Sequence, residues 1–104
     1  MFSFLKKLFA SPDQALLKEA VREGALLVDV RSPGEFASGS VKGAVNIPLG
    51  SIEKEIDRFK GKRSVVVFCA SGARSGSARK VLERNGIQNV LNGGTWRKVG
   101  AVVA

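Results

Sequence analysis

Cys69, the only cysteine of this 104-residue chain, is the residue best suited to covalent chemistry. It ends the apolar run at residues 65–68 and is followed by the small residues Ala70-Ser71-Gly72-Ala73 and then by Arg74. The chain contains no histidine, so it lacks the commonest general base and the commonest metal ligand. Any chemistry must therefore come from the thiol, carboxylates, hydroxyls and arginines.

The residues around Cys69 predict a loop that surrounds its sulfur. The β-branched run before it predicts a buried strand, and Ser75-Gly76 begins a helical pattern. Loop N–H groups and the N-terminus of that helix would both point toward the sulfur and favour an anion there. A lone cysteine is more often a small buried apolar residue. The small loop residues leave the backbone room to curl, so we interpret Cys69 as a nucleophile with a depressed pKa.

Three separated motifs carry a family resemblance. The segment from Cys69 to Ser75 resembles the active-site loop C-x-x-G-x-R-S of rhodanese-type sulfurtransferases, whereas related tyrosine-phosphatase-type loops place the arginine one residue further on. Residues 29–36 with 43–49 (DVRSPGEF and GAVNIPL) and residues 92–96 (NGGTW) extend the resemblance over most of the chain. The order of these motifs is that of single-domain, small phage-shock-type rhodaneses.

The resemblance implies a two-step sulfur transfer. The Cys69 thiolate attacks the outer sulfur of a small anionic donor such as thiosulfate, releases sulfite and retains a persulfide. A thiol or cyanide acceptor then takes the sulfur, and a protein thiol is a further candidate acceptor. This chemistry needs no cofactor or metal and little acid–base help, which is compatible with the absence of histidine.

The resemblance also implies roles for particular residues. Cys69 is expected to be catalytic, while Asp29 and Glu35 support the loop. The residues expected to bind substrate are Ala70, Ser71, Gly72, Ala73, Arg74, Ser75 and Arg31. Arg74 is expected to hold an anion, with a solvated role in the first helical turn as its alternative. Arg31 is favoured as an ion-pair partner of Asp29 or Glu35.

One position departs from the common family pattern, which has histidine after the glycine where this chain has Ser40. That residue is usually structural in the family. We therefore expect the change to weaken a hydrogen-bonding detail and to leave the cysteine chemistry intact.

Two other functions use similar residues. A phosphatase or arsenate reductase also holds its cysteine in an anion cradle, but this loop is one residue short for a tetrahedral oxyanion, and the chain lacks resolving thiols. The other alternative is a non-catalytic rhodanese-like sulfur carrier or binding module. A binding module usually lacks the cysteine, which is present here.

Strands and helices alternate along the chain, which predicts an α/β fold, a parallel sheet with helices on both faces. The resemblance implies that this fold is of the rhodanese-like type. Strands are predicted at residues 25–30, 44–47, 65–69 and 87–91. Helices are predicted from Ser11-Pro12-Asp13 to Gly24, after a Ser32–Glu35 capping box, over residues 51–59 on the surface, and from the loop to Asn85-Gly86. Because ligands of such sheets bind at the carboxyl ends of strands, Asp29, Arg31 and Cys69 are expected at one rim.

Three further details complete the prediction. Phe36 is expected to face the core, and Trp96 is expected in the core or an interface. Asn92-Gly93-Gly94 is expected to turn sharply into a short terminal segment.

The chain carries 17 Lys and Arg against nine Asp and Glu, a net charge of +8 that would attract small anions or an acidic macromolecule. These charges are dispersed and stacking aromatics are few, so we expect no nucleic-acid partner. A single cysteine permits no internal disulfide, and we expect a cytoplasmic protein.

We divide the chain into an amphipathic N-terminal segment, residues 1–10, and a rhodanese-like domain, residues 11–104. The segment lacks the order of a secretory signal and is too short to span a bilayer, so no stable membrane insertion is expected. Its apolar residues share a helical face, which permits an interfacial helix. We favour packing on the domain or a subunit contact.

Overall fold

A computed structural model describes residues 14–104, so the predictions for the N-terminal segment and for a helix start at Ser11-Pro12-Asp13 lie outside this part of the chain. The elements, in order, are α1 (Gln14–Arg22), β1 (Leu26–Asp29), α2 (Pro33–Ala37), β2 (Val45–Asn46), two 3₁₀ helices (Leu49–Ser51 and Glu53–Phe59), β3 (Val65–Cys69), α3 (Ala73–Arg84), β4 (Val90–Thr95) and α4 (Trp96–Val103). No helix within these residues is both long and apolar enough to cross a membrane.

The four strands form one parallel sheet in the order β2-β1-β3-β4. β3 lies in the interior of the sheet and is buried along its whole length. Its side chains alternate: Val65, Val67 and Cys69 join an apolar cluster with α3 and the 3₁₀ helices, whereas Val66 and Phe68 join a second cluster with α1 and α4. The predicted parallel α/β sheet, covered on both faces, is confirmed.

The prediction of a turn at residues 92–94 was wrong, because these residues belong to β4. Asn92 pairs with Val67 and Gly94 with Phe68, so Gly93 is an extra residue in the ladder. A Cβ at Gly93 would lie 2.7 Å from Val99 Cγ2 and 2.9 Å from Val66 Cγ1. This glycine therefore permits close packing of β4 against β3 and α4, and α4 begins at Trp96, directly after β4.

Two predictions on the side of the sheet near β1 also need correction. Residues 49–59 form two 3₁₀ helices, with a kink at Glu55, although Ile52 and Phe59 are buried as their spacing indicated. Phe36 is only partly buried and belongs to neither apolar cluster of the described residues. The helix that carries it has only five residues and places its polar cap, Ser32 and Glu35, near the sheet rim.

Candidate active site

Cys69 lies at the carboxyl end of β3, and its side chain is completely buried. The loop after it turns at Gly72, whose φ of 101° suits glycine, and Gly72 is also the N-cap of α3. This turn brings the Gly72 N–H to 3.0 Å from Cys69 Sγ, while the Ser75 N–H lies 3.4 Å from the same atom. The predicted convergence of loop amides and a helix N-terminus on the sulfur is present.

The Ser75 hydroxyl is the third polar group at the sulfur. Its Oγ lies 3.4 Å from Cys69 Sγ, and the whole residue is buried. The hydroxyl donates a hydrogen bond to Asn92 Oδ1 over 2.7 Å. Ser75 therefore links the cysteine of β3 to the neighbouring strand β4.

Two opposing effects act on the pKa of Cys69. Burial is the largest single effect and raises the pKa, because a thiolate loses hydration in the interior. Hydrogen bonds from the Ser75 hydroxyl and from the N–H groups of Ser75, Ser71 and Gly72 lower it, and together they outweigh burial. The pKa of Cys69 is thus lower than that of an ordinary thiol, which favours the nucleophilic thiolate.

Asn92 is a site residue that the sequence did not reveal. Besides the bond from Ser75, its Oδ1 accepts from the Gly94 N–H at 3.0 Å, and its Nδ2 donates to the Gly72 carbonyl at 3.3 Å. It therefore connects the cysteine loop, α3 and β4. Asn92 lies in a recognised motif, but no local pattern distinguishes an asparagine in a strand from one in the predicted turn.

Arg74 points toward α2. Its Nη1 and Nη2 lie 2.7 and 3.0 Å from the two carboxylate oxygens of Glu35. Glu35 also accepts from the Ser32 N–H and hydroxyl, so the predicted capping box is present. Arg74, followed by the Ser32 groups, lowers the pKa of Glu35 to about 2. The loop arginine and the supporting glutamate thus form an ion pair at the site.

The buried pair of Asp29 and Arg31 supports the rim beside the loop. Arg31 Nη2 lies 2.7 Å from Asp29 Oδ2, and Arg31 Nε lies 3.0 Å from both carboxylate oxygens. Arg31 also donates to the Gly39 carbonyl over 2.6 Å. These bonds agree with the favoured ion-pair interpretation and orient the guanidinium toward the protein's own groups.

Ser40 donates a hydrogen bond to Asp29 Oδ2 over 2.7 Å. The residue that departs from the family pattern therefore supplies a hydrogen bond to the buried carboxylate. The change was expected to weaken a hydrogen bond, but the Asp29 carboxylate still has a donor at this position.

The remaining predicted residues lie in the outer part of the loop and at the start of α4. Ala70, Ser71 and Ala73 are exposed and form the outer part of the loop. Trp96 packs against the second apolar cluster, with the guanidinium carbons of Arg31 and Arg97 at 4.8 and 4.6 Å from its ring centroid. The site thus consists of a buried sulfur surrounded by N–H and O–H groups below a loop with small side chains, which suits nucleophilic attack on a small anion.

Comparison with known proteins agrees with this geometry. A family model described as "Rhodanese-like domain" matches residues 13–95. The chain is 34% identical to the uncharacterized protein YqhL of Bacillus subtilis, covering 86% of this chain and 75% of that one. It is 36% identical to the thiosulfate sulfurtransferase GlpE of Pseudomonas entomophila, covering 84% and 82%. The human single-domain sulfurtransferase TSTD1 superposes with a TM-score of 0.68 at 27% identity, covering 81% and 88%.

Proposed function

This chain belongs to the rhodanese-like sulfurtransferase family, and from that membership we propose that it moves sulfane sulfur from thiosulfate, or a similar small anion, to a thiol or cyanide through a persulfide on Cys69. The observation that carries the proposal is the 3.0 Å contact between the Gly72 N–H and Cys69 Sγ. Together with the Ser75 N–H, this contact stabilises negative charge on a buried sulfur.

In the first step, the Cys69 thiolate attacks the outer sulfur of thiosulfate. A new S–S bond forms at Sγ, the donor's own S–S bond breaks, and sulfite leaves with the bonding electron pair. In the second step an acceptor thiolate or cyanide attacks the terminal sulfur of the persulfide, and the Cys69 thiolate leaves with its electron pair. The acceptor product is a new persulfide or thiocyanate.

Neither step requires proton transfer to a poor leaving group, because sulfite and the Cys69 thiolate both leave as anions. The loop residues Ala70 to Ser75 are proposed to surround the bound donor, and the N–H groups at the sulfur hold the thiolate as it attacks and leaves. Arg74 is proposed to attract the anionic donor. Glu35 is proposed to support the loop through Arg74, and Asp29 to support the rim beside it through its bonds with Arg31, which favours a supporting role for that arginine too.

Intact-protein mass spectrometry tests the proposal directly. Incubation with thiosulfate is expected to add the mass of one sulfur atom, and later addition of cyanide is expected to remove it as thiocyanate. Because Cys69 is the only cysteine, the added sulfur can be assigned to it without digestion. The Cys69→Ser variant should fold normally and gain no mass, since a hydroxyl is far less acidic and less nucleophilic than a thiol.

A parallel incubation with 3-mercaptopyruvate identifies the donor. Sulfur addition from this compound alone would contradict the thiosulfate assignment. If neither donor adds sulfur, or if Cys69→Ser retains turnover, the proposed mechanism is wrong. The first of those results would favour a binding module.

A further inference from the structure

The orientation of the Asn92 side chain is fixed by two backbone groups. Its Oδ1 accepts from the Gly94 N–H at 3.0 Å, and its Nδ2 donates to the Gly72 carbonyl at 3.3 Å. A rotated amide would place a donor against the N–H and an acceptor against the carbonyl, and both hydrogen bonds would be lost. The oxygen of the amide therefore faces Ser75.

The Ser75 hydroxyl has a single hydrogen and two neighbours that can accept it. Asn92 Oδ1 lies 2.7 Å from Ser75 Oγ, and Cys69 Sγ lies 3.4 Å from it. While the hydrogen points to Asn92, a lone pair of Ser75 Oγ is left for the sulfur. That arrangement accepts a hydrogen bond from a thiol S–H and does not stabilise a thiolate.

A thiolate needs the opposite arrangement, in which the Ser75 hydroxyl rotates and donates to Cys69 Sγ. Ser75 and Cys69 are both completely buried, so the hydroxyl has these two fixed partners to choose between. When the hydrogen turns to the sulfur, Asn92 Oδ1 keeps its bond from the Gly94 N–H. The amide oxygen is thus never left without a donor.

We propose that Asn92 is a positioning residue that competes with Cys69 for the hydroxyl hydrogen of Ser75, and that this competition limits how strongly the thiolate is stabilised. A less stabilised thiolate is more nucleophilic at a given degree of ionisation. Asn92 therefore balances the amount of Cys69 thiolate against its reactivity. The catalytic meaning rests on the proposed sulfur transfer, whereas the competition for the hydrogen does not.

The test follows the rate of Cys69 alkylation by iodoacetamide against pH, because this chain has no other thiol. Asn92→Ala removes the competing acceptor, so the alkylation midpoint should move to lower pH. Well below the midpoint, the alkylation rate should rise about three- to tenfold, the worth of the neutral hydrogen bond between Ser75 and Asn92 that no longer competes.

Asn92→Asp keeps an acceptor oxygen and adds a negative charge, so its midpoint should move to higher pH. A loop that is merely loosened would move both midpoints in the same direction. Opposite shifts therefore support competition, and shifts of the same sign would contradict it.

A second comparison removes the Ser75 hydroxyl. Ser75→Ala should raise the midpoint, and adding Asn92→Ala to that variant should cause no further shift, because no hydroxyl hydrogen remains to compete for. If Asn92→Ala lowers the midpoint equally with and without Ser75, the inference is wrong. Asn89→Ala is the matched control. The Asn89 side chain also donates to backbone carbonyls, but these belong to Lys62 and Arg63 before β3 and not to the cysteine loop.

Alkylation does not require a sulfur donor, so the two proposals can fail separately. Predicted alkylation shifts without any sulfur transfer would contradict the proposed function alone. Normal sulfur transfer with an unshifted Asn92→Ala midpoint would contradict the role of Asn92 alone. Should Asn92→Ala melt below the assay temperature, the Asn92→Asp shift is measured with and without the Ser75 hydroxyl: competition predicts a smaller shift in the Ser75→Ala background, and equal shifts would contradict the role of Asn92.

Discussion

Arg74 and Glu35 form a two-point ion pair that joins the cysteine loop to the capping box after β1. The two nitrogen–oxygen distances are 2.7 and 3.0 Å, and the side chains are 40% and 38% exposed. Glu35 thus cancels much of the Arg74 charge at the site. Loss of either side chain would therefore change the charge that an approaching anion meets. This relationship leads to the first two predictions.

Arg74→Ala should raise the KM for thiosulfate about fivefold, because it removes a cation and leaves the Glu35 carboxylate without its partner. Transfer of sulfur from a formed persulfide to a thiol acceptor that carries no other charged group should continue at a near-normal rate. Arg79→Ala is the control, since Arg79 lies on the same helix and pairs with Glu83 at similar exposure. Steady-state and single-turnover kinetics would separate the two steps, and an unchanged KM would limit Arg74 to its ion pair with Glu35.

Glu35 should make stability depend on pH in the acid range. Its pKa is lowered from the ordinary value of 4.5 to about 2, first by Arg74 and then by Ser32. A carboxylate with a lower pKa in the folded state stabilises the fold above its unfolded pKa, and this contribution disappears as the pH falls from 4.5 to about 2. Glu35→Gln should therefore reduce the fall in Tm over that interval, modestly because the pair is exposed.

Melting curves at several pH values would measure this effect, with Glu83→Gln as the control for removing one exposed carboxylate from an ion pair. An equal change in both variants would show that the Glu35 environment contributes nothing specific. A Glu35→Gln variant with an unchanged pH profile would contradict the prediction.

Ser40→Ala should destabilise the fold by about 1–2 kcal/mol, because Asp29 is buried and would lose one hydrogen-bond donor. Sulfur transfer at a temperature where the variant is folded should be unchanged, since Ser40 contacts the carboxylate and not the cysteine loop. Urea unfolding would give the difference in the free energy of unfolding. Ser38→Ala is the matched control, because Ser38 makes its hydrogen bond on the exposed surface of α2.

Gly93→Ala should cost about 1–3 kcal/mol of stability, because the new methyl group would overlap the side chains of Val99 and Val66. Gly50→Ala introduces a methyl group with no atom within 4 Å and serves as the control. Urea unfolding of both variants would measure the difference. Equal stabilities for the two variants would show that the sheet can expand at Gly93.

The parts of the fold that depend on local patterns were predictable from sequence. The β-branched run before Cys69 and the small residues after it predicted strand, loop and helix, and these elements are confirmed. Ser32 and Glu35 likewise define a capping box three residues apart. In both cases the residues that determine the structure are neighbours in the chain.

The errors arose where the decisive contacts are distant in sequence. Asn92-Gly93-Gly94 has turn composition, but Val66 and Val99 require a residue without a side chain at position 93. Ile52, Ile56 and Phe59 are spaced by four and three residues, which fits either an α-helix or a 3₁₀ helix over so short a segment. The hydrogen bonds of Asn92 to Ser75 and Gly72 depend on the pairing of β4 with β3, which residue types alone do not specify.

During synthesis on the ribosome, Cys69 emerges before the strand that completes its surroundings. The Ser75 hydroxyl and the Gly72 carbonyl can reach Asn92 only after β4 has paired beside β3. A chain truncated before Val90 therefore lacks the strand that completes the surroundings of its thiol.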